Sequence, residues 1–347
     1  MNDDFARLLS LKDTMTPWAL RAVATLGVPD LLADGELGAG ELARRTGVVP
    51  DALCRVLRLL TARGVFTEPK PGVFGPTALS RLLESGGRPI SMGPWLDLDG
   101  AVGRGDRACV HILEALRTGR PVYERVYGRP VWEDLAADPA LTASFDTAMA
   151  ARAAALAPAV AAGYDWSTAR HVLDAGGGTG TVLAEVLRTH PRLRGTLLDR
   201  APAVTAARAA WGDTAEGRRC AFTSGSFFDA LPMGADVILL VNVIHDWPDE
   251  HAAAVLRRCA EALPPDGRVL IAEHLRDGAA GPLLELDLLM LLVYGGRERD
   301  LDDFRALVSV AGLELTGVTE TRAGISLLSC QLPQLPFQGI VGNHHQS

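Results

Sequence analysis

The sequence predicts a protein of two domains, a mostly α-helical N-terminal domain followed by an α/β domain with a parallel sheet. Up to about residue 162 the apolar residues recur at helical spacing. From Arg170 onward short apolar strands alternate with helical stretches, which is the pattern of a parallel sheet covered by helices on both faces. The length of 347 residues is consistent with two or three domains.

Composition and charge exclude several classes of protein. Hydrophobic residues make up 48% and charged residues 22%, which is typical of a globular chain. The net charge of −8 would repel a phosphate backbone, so we expect no nucleic-acid partner. The N-terminus is acidic, and no apolar run reaches the ~18 residues of a membrane helix, so we expect a cytoplasmic protein without membrane contact. Five cysteines without a CxxC pair predict core thiols in a reducing compartment.

The N-terminal segment begins with an amphipathic helical pattern from Asp4 to about Leu32, in which Pro17 bends or restarts the helix. This pattern has little to pack against locally. We therefore expect it to bury its apolar face in a homodimer.

A helix-turn-helix with a wing is predicted next. Residues 40–47 and 50–63 predict two short helices, and residues 64–75 predict two strands around a Pro/Gly turn. Together they form a winged helix, which often binds DNA. The second helix, however, carries five large apolar residues beside its arginines, so the sequence favours dimerisation over DNA reading. The predicted segments are a winged-helix dimerisation domain (1–100), a helical connector and substrate lid (101–162), a catalytic α/β domain (163–331) and a tail (332–347).

A glycine-rich loop follows the first strand of the α/β domain. The strand at 171–173 runs into Asp-Ala-Gly-Gly-Gly-Thr-Gly at 174–180, and a helix begins near Thr181. Glycines at this point let the backbone approach a bound nucleoside beside a helix N-terminus. Thr181 occupies the last glycine position of a dinucleotide fingerprint, and no P-loop lysine follows. Asp199 ends the next strand, where a carboxylate can accept both hydroxyls of a ribose.

Five ordered motifs carry a resemblance to a known family. They are Val172-Leu-Asp-Ala-Gly-Gly-Gly-Thr-Gly180, Leu198-Asp199, Gly225-Ser-Phe-Phe228, His245-Asp-Trp247 and Gly295-Gly-Arg-Glu298. The chain resembles the S-adenosylmethionine-dependent O-methyltransferases of the plant caffeate and bacterial natural-product type. The resemblance implies a winged-helix dimerisation domain, a Rossmann-like class I methyltransferase domain, S-adenosylmethionine as cofactor, no metal, and an aromatic small molecule as acceptor.

The resemblance also implies the cofactor contacts. Gly176 and its neighbours Asp174 and Gly178 would approach the methionine part of the cofactor. Asp199 would hold the ribose, and Ser226 and Phe227 would border the adenine. Ser226 is a departure, because many members carry Asp there, and a hydroxyl bonds an amino group less strongly than a carboxylate does.

His245 is the candidate general base. A phenol with a pKa near ~10 is mostly protonated at neutral pH, and a histidine with a pKa near ~6.5 is the natural group to remove its proton. His245 follows the carboxyl end of a predicted strand, where open α/β sheets bind ligands. Glu273 and Glu298 match the acidic supports of the base in the resembling family. For Asp246 an auxiliary support and a local helix cap are both open.

The acceptor site is expected to be apolar with a few polar groups. Phe145 with Met149, and Met290 with Tyr294, match the family's pocket positions, although each pair alone is typical of a core. Asn242 is a candidate hydrogen-bond partner for the acceptor, and Trp95 and Trp132 are weaker candidates.

These inferences predict a homodimeric O-methyltransferase that methylates a phenolic hydroxyl of an aromatic small molecule in natural-product, polyketide-type biosynthesis. Two alternatives stay open. The first is the same fold and cofactor with non-methylating chemistry. The second is a winged-helix, ligand-responsive regulator that binds DNA.

Overall fold

The computed structural model describes residues 3–85, 91–276 and 281–334, so the predicted tail from residue 335 onward lies outside the described residues. The backbone divides into two compact units. The first takes in the chain up to Pro158 together with Thr205–Ala209 and Leu286–Gly295. The second takes in Ala159–Val204, Ala210–Glu285 and the chain from Gly296.

The N-terminal helical pattern forms three helices rather than one. They are α1 (Asp3–Leu11), α2 (Met15–Thr25) and α3 (Val28–Leu31). Pro17 lies in the first turn of α2, where a missing N–H disrupts no helical bond, and so it restarts the helix. Val23, Val28 and Leu32 are fully buried, so the expectation of little local packing is wrong for α2 and α3. It holds for α1, which buries no residue.

The predicted winged helix is present. Its elements are β1 (Leu37–Gly38), α4 (Ala39–Thr46), α5 (Pro50–Ala62), β2 (Phe66–Lys70) and β3 (Val73–Pro76). The three strands form an antiparallel sheet in the order β1-β3-β2. The sequence predicted β2 and β3 but not β1. Leu53, Leu57 and Leu60 form the buried face of α5 and join the core of this region.

The arginines of α5 and the residue after it face carboxylates. The pairs are Arg55–Asp51 at 2.7 Å, Arg58–Glu68 at 3.0 Å and Arg63–Asp13 at 2.9 Å. A guanidinium already paired with a carboxylate has less net charge to offer a DNA phosphate. These ion pairs favour the interpretation that the winged helix serves dimerisation rather than DNA binding.

Further helices follow the winged helix. They are α6 (Gly93–Leu96), α7 (Ala101–Ala108), α8 (Ile112–Thr118), α9 (Tyr123–Tyr127), α10 (Val131–Ala137) and α11 (Pro139–Gly163). The last of them, α11, begins in the first unit and ends in the second. The Gly-Arg-Pro sequences at 119–121 and 128–130 and the Asp-Pro sequence at 138–139 predict breaks between helices, and the structure confirms all three breaks. Left-handed glycines end α8 and α9, which is the usual C-terminal signal of a helix.

The second unit is built on a seven-stranded sheet. Its strands are β4 (His171–Ala175), β5 (Arg194–Asp199), β6 (Cys220–Ser224), β7 (Val237–Val241), β8 (Arg268–Glu273), β9 (Glu314–Glu320) and β10 (Ser326–Gln331). The remaining helices are α12 (Thr181–Thr189), α13 (Ala201–Trp211), α14 (Asp249–Ala262), α15 (Gly281–Leu289) and α16 (Leu301–Val310). The strand order is β6-β5-β4-β7-β8-β10-β9. Strand β6 was not predicted from the sequence, because it lies at the edge of the sheet and its residues are only half-buried or exposed.

The parallel part of the sheet decides where the functional residues meet. Strands β4 to β8 pair in parallel, so their carboxyl ends share one edge. Asp199 ends β5 and Glu273 ends β8 at this edge. The antiparallel strand β10 starts beside Glu273, with which Ser326 is in register. The predicted mostly helical domain and Rossmann-like α/β domain are both confirmed.

Two further expectations concern cysteines and membranes. All five cysteines are free thiols, and Cys259 and Cys330 are buried as predicted core thiols. Burial raises the pKa of both thiols to about 12. Within the described residues, no helix has the length and apolar character needed to span a bilayer.

Candidate active site

The glycine-rich loop begins directly after β4. Gly176 and Gly178 adopt left-handed φ angles of 80° and 59°, which L side chains rarely adopt, and the N–H of Gly176 donates to the Leu198 carbonyl at 2.8 Å. A Cβ at Gly178 would meet no atom within 4 Å. The loop therefore runs beside the end of β5 and leaves open space in front of Gly178 for a ligand.

Asp174 lies at the base of this loop as a buried carboxylate. Neither of its carboxylate oxygens has a hydrogen-bond partner among the described residues. Burial, together with the charge of Asp199, raises the pKa of Asp174 to about 7. An unpaired buried carboxylate is costly. The loop thus offers a site at which a polar or cationic ligand group would be stabilised, and this fits the amino-acid part of S-adenosylmethionine.

Asp199 is connected to the same loop. Its Oδ2 accepts a hydrogen bond from the Gly178 N–H at 2.7 Å, and its Oδ1 accepts one from the Arg200 N–H at 2.6 Å. Burial raises the pKa of Asp199, although these two N–H groups oppose the rise. Each carboxylate oxygen retains a second lone pair, so the side chain can still accept from two ribose hydroxyls.

The candidate adenine residues follow β6. The exposed Ser226 accepts a hydrogen bond from the Phe228 N–H at 3.1 Å. The Phe227 ring lies 5.1 Å from the Phe228 ring and 6.0 Å from the Trp247 ring. An added Cβ on Gly176 would lie 3.1 Å from Phe227, so this aromatic group borders the glycine-rich loop.

His245 lies in a short 3₁₀ turn, Ile244–Asp246, immediately after β7, and is buried. Its Nδ1 is 2.6 Å from Oε1 of Glu298 and 3.9 Å from Oε2 of Glu273. Its Nε2 is 3.6 Å from Oδ1 of Asp246. The structure therefore brings together all four residues that the sequence analysis proposed for catalysis.

Glu273 also holds the backbone of this turn. Its Oε1 accepts from the Ile244 N–H at 2.9 Å and from the His245 N–H at 3.3 Å. One carboxylate thus contacts the turn through its backbone and faces the imidazole ring. The position of His245 depends on β8 as well as on β7.

The pKa of His245 differs from that of a free histidine. Burial alone would lower the pKa of the imidazole, but the carboxylates of Glu273, Asp246 and Glu298 outweigh it and raise the pKa to about 9. At neutral pH only about 1% of the imidazole is then neutral. The ordinary pKa near ~6.5 does not apply in this site.

The same groups have the spacing of a cation site, since one ligand atom each from His245, Glu273 and Glu298 lies within 4.8 Å of the others. The Nδ1 atom already shares a 2.6 Å hydrogen bond with Glu298. We therefore interpret the three residues as a support for a protonated imidazole.

The candidate acceptor residues are divided between the two units. Phe145 and Tyr294 flank Trp132 in the first unit, with ring distances of 5.7 Å and 5.4 Å. Met149 follows Phe145 by one turn of α11, and Met290 begins the π-helical turn that Tyr294 ends. Trp132, a weaker candidate from the sequence, joins the two predicted pairs, which no local spacing could indicate.

Asn242 belongs to the second unit, directly after β7. Among the non-glycine residues that the structure describes, Asn242 alone has a positive φ, of 50°. Its N–H donates to the Ala272 carbonyl at 3.0 Å. Backbone strain of this kind clusters at functional sites.

Comparison with known proteins identifies the family. An O-methyltransferase domain matches residues 110–314, and an O-methyltransferase dimerisation domain matches residues 9–86. The chain belongs to the O-methyltransferase family. Members of this family use S-adenosylmethionine as methyl donor.

Two curated relatives cover most of the chain. A 2,7-dihydroxy-5-methyl-1-naphthoate 7-O-methyltransferase from Streptomyces carzinostaticus is 43% identical over 307 residues, which cover 88% of this chain and 92% of that protein. Aclacinomycin 10-hydroxylase RdmB from Streptomyces purpurascens is 42% identical over 340 residues, which cover 96% of this chain and 90% of that protein. The family therefore includes a relative named for a different reaction.

Solved structures agree with the fold. The crystal structure of TnmH has a TM-score of 0.92 and 67% identity, and the match covers 96% of this chain and 99% of that chain. The O-methyltransferase NcsB1 from neocarzinostatin biosynthesis, in complex with S-adenosylmethionine and 2-hydroxy-5-methyl naphthoic acid, has a TM-score of 0.87 and 40% identity. That match covers 93% of this chain and 98% of that chain.

The first prediction concerns Asp199. Replacing Asp199 with alanine should weaken the binding of S-adenosylmethionine by ~1.5 to 3 kcal/mol, because charge-assisted hydrogen bonds to the ribose are lost. Isothermal calorimetry measures this change, with Asp266→Ala, an exposed acid at the amino end of β8, as control. An unchanged affinity for Asp199→Ala would contradict the assignment.

The second prediction concerns the protonation of His245. In a ¹⁵N NMR titration the wild-type imidazole should titrate at about 9. Glu298→Gln should move this pKa downward, because the uncharged amide no longer favours the imidazolium. Glu261→Gln, which removes an exposed carboxylate paired with Arg258, should leave it unchanged. A His245 pKa that stays the same in Glu298→Gln would show that the carboxylate does not control the charge of the ring.

Proposed function

We propose that this protein transfers a methyl group from S-adenosylmethionine to a phenolic hydroxyl of an aromatic small molecule in natural-product biosynthesis, with His245 as general base. The observation that carries the proposal is the buried imidazole held 2.6 Å from Glu298, at the sheet edge that also bears Asp199. The naphthoates in the names of two relatives make hydroxynaphthoates the first acceptors to test.

The cofactor-binding residues each have a separate task. Asp174, Gly176 and Gly178 would take the amino-acid end of the cofactor, because there the loop combines open space with an unpaired carboxylate. Asp199 would accept from the ribose hydroxyls, and Ser226 and Phe227 would border the adenine. When bound, S-adenosylmethionine supplies an electrophilic methyl group, so the chain needs to add only alignment and proton removal.

Proton removal is assigned to Nε2 of His245. Because Nδ1 shares its proton with Glu298, Nε2 is the nitrogen left to accept the proton of the phenol. Glu273 and Glu298 stabilise the imidazolium that results. Asp246, 3.6 Å from Nε2, would add to this stabilisation as an auxiliary support. A strong base of this kind compensates for its small neutral fraction by a larger driving force for proton transfer.

The acceptor would be held by aromatic and thioether side chains. Phe145, Met149, Met290 and Tyr294, with Trp132, offer apolar faces suited to a flat ring. Asn242, in the second unit, stays a candidate hydrogen-bond partner of the acceptor. The role of residues 101–162 as a substrate lid stays a prediction from the sequence.

Hydroxylation is the second candidate reaction, because a relative named as a hydroxylase is 42% identical over 96% of this chain. The intact set of His245, Glu273 and Glu298 favours methyl transfer. Mass spectrometry of the product separates the two candidates. Methyl transfer replaces the phenolic proton with a methyl group, whereas hydroxylation adds an oxygen atom that dioxygen and an added two-electron reductant would have to supply.

The third prediction tests the base. His245→Ala should lower the rate of methyl transfer ~10²- to 10⁴-fold and leave the affinity for the cofactor nearly unchanged. The remaining rate should rise with pH and follow the pKa of the phenol when acceptors of different acidity are compared. In the wild type, kcat/KM should instead rise toward about pH 9 with every acceptor, because the imidazole must lose its proton before it acts as a base. His251→Ala, which changes an exposed histidine of α14, is the control.

Wild-type turnover in His245→Ala would assign the base to another residue. A parallel loss of cofactor affinity would show that His245 supports the strand end rather than the reaction.

We further propose that the protein is a homodimer whose interface includes α1. Phe5, Leu8 and Leu11 recur at three-residue spacing on this helix and are 53%, 64% and 75% exposed. Exposed apolar side chains in a row typically mark a protein interface. The matched dimerisation domain supports a dimer, and its residues 9–86 include the last three residues of α1.

The fourth prediction tests this interface. A double variant, Leu8→Glu and Leu11→Glu, should shift the protein from dimer to monomer in sedimentation velocity and leave its far-UV circular dichroism spectrum unchanged, because α1 contributes no buried residue to the described core. Val310→Glu, at an exposed apolar position of α16, is the control and should stay dimeric. A double variant that remains a dimer at micromolar concentration would exclude α1 from the interface.

A further inference from the structure

Arg299 is a buried cation to which the proposed reaction assigns no role. Its side chain is only 1% exposed. A charged side chain is rarely buried unless it is paired, so the partners of such a group indicate what it does.

The guanidinium of Arg299 donates hydrogen bonds to backbone carbonyls on both sides of His245. Nη1 donates to the Ile244 carbonyl at 3.0 Å, and Nη2 donates to the Trp247 carbonyl at 2.9 Å. Nη2 and Nε also donate to Oδ1 of Asp249 at 2.7 Å and 3.0 Å. The planar guanidinium has a fixed fork of donors, so it fixes the separation of the two carbonyls on either side of His245 and Asp246.

The residues just before Arg299 contact the same turn. Glu298 binds the His245 ring, and the Arg297 N–H donates to the His245 carbonyl at 2.9 Å. A Cβ on Gly296 would overlap the His245 carbonyl oxygen, so only glycine permits this close approach. Four consecutive residues of one segment therefore contact or closely approach the turn.

This segment is fixed in turn to the end of β8. The Arg276 N–H donates to the Arg299 carbonyl at 2.9 Å, and Leu275 forms a parallel bridge with Arg299. The Arg276 side chain binds Asp300 at 3.0 Å and Asp303 at 3.1 Å. Arg299 thus connects the segment that supplies Glu298 to the residues that follow β8, the strand that supplies Glu273.

We propose that Arg299 is a positioning residue for the base: its fork holds the Ile244–Trp247 turn so that Nδ1 of His245 stays on Glu298 and Nε2 is left for the acceptor. This inference rests on the proposed role of His245. Arg299 contacts the turn through backbone carbonyls and its own ion pair is with Asp249, so it acts on geometry rather than on the reacting atoms.

The fifth prediction concerns the variant Arg299→Lys. Lysine keeps the charge, but a single ammonium on a flexible stem cannot span both carbonyls. We expect kcat for methyl transfer to fall about 10²-fold, the cost of misplacing a reacting group by about 1 Å, with the affinity for S-adenosylmethionine unchanged. The rise of kcat/KM should also move to lower pH, because a ring that leaves Glu298 loses a charge that favours its protonated form.

Arg219→Lys is the matched control. Arg219 also donates to two backbone carbonyls, those of Leu187 and Leu193, both at 2.7 Å, but it contacts the opposite, amino-terminal edge of the sheet. Its replacement should lower Tm without moving the pH profile. If Arg299→Lys does only the same, Arg299 is a structural residue and the proposal is overturned.

Asp249→Asn provides a second variant in case Arg299→Lys does not fold. The Asp249 carboxylate is 60% exposed, and asparagine keeps an Oδ1 acceptor for Nη2 and Nε, so the variant removes the counter-charge of Arg299 while leaving its hydrogen bonds possible. The guanidinium is then held less firmly, and the pH profile should shift in the same direction by a smaller amount. An unchanged profile in this variant contradicts the proposal.

A double variant separates this proposal from the assignment of the base. If Arg299 acts through His245, then His245→Ala with Arg299→Lys should be no slower than His245→Ala alone. Losses that multiply would overturn the positioning role. If His245→Ala keeps full activity, the proposed base fails, but the ¹⁵N NMR titration still tests the positioning because it needs no turnover. The His245 pKa should fall in Arg299→Lys and stay unchanged in Arg219→Lys.

Discussion

The hydrogen bond between His245 and Glu298 is the interaction on which the site depends, since it joins residues 53 positions apart in the sequence. The sheet makes this contact possible, because parallel strands deliver their carboxyl ends to one edge. His245 follows β7 there, and Glu273 ends the neighbouring strand β8. The segment at 296–299 then approaches the same turn from outside the sheet. No single element contains the site.

The electrostatics of the site follow from this convergence. A buried imidazole without partners would be held neutral, because desolvation disfavours its charged form. Three carboxylates within 4 Å of the ring reverse the effect and stabilise the imidazolium. Under the proposed mechanism, this arrangement stabilises the imidazolium that forms when His245 takes the proton of the acceptor. His245 would then be a stronger base, of which only a small fraction is neutral at neutral pH.

On the cofactor side of the site, a buried charged group lacks the partners that His245 has. Asp174 and Asp199 are both buried acids, and burial together with the charge of Asp199 raises the pKa of Asp174. Asp199 is compensated by two backbone N–H donors, whereas Asp174 has no hydrogen-bond partner within the described chain. These two acids are suited to a ligand that brings hydroxyl groups to Asp199 and a polar or positively charged group to Asp174. The glycine-rich loop leaves room for both.

The sequence by itself determined the features that depend on local pattern. Alternating strands and helices, the glycine-rich loop and the helix breaks are set by neighbouring residues, so the α/β fold, the winged helix and the strand-end position of His245 were predictable. Local pattern failed at β6, whose edge position leaves it half-exposed, and at α2 and α3, whose packing partners lie further along the chain. Only the tertiary structure decided the raised pKa of His245, the ring contacts of Trp132 with Phe145 and Tyr294, and the hydrogen bonds of Arg299 to the turn. Each of these arises from distances between residues far apart in the chain, and charge and geometry act through distance rather than through sequence order.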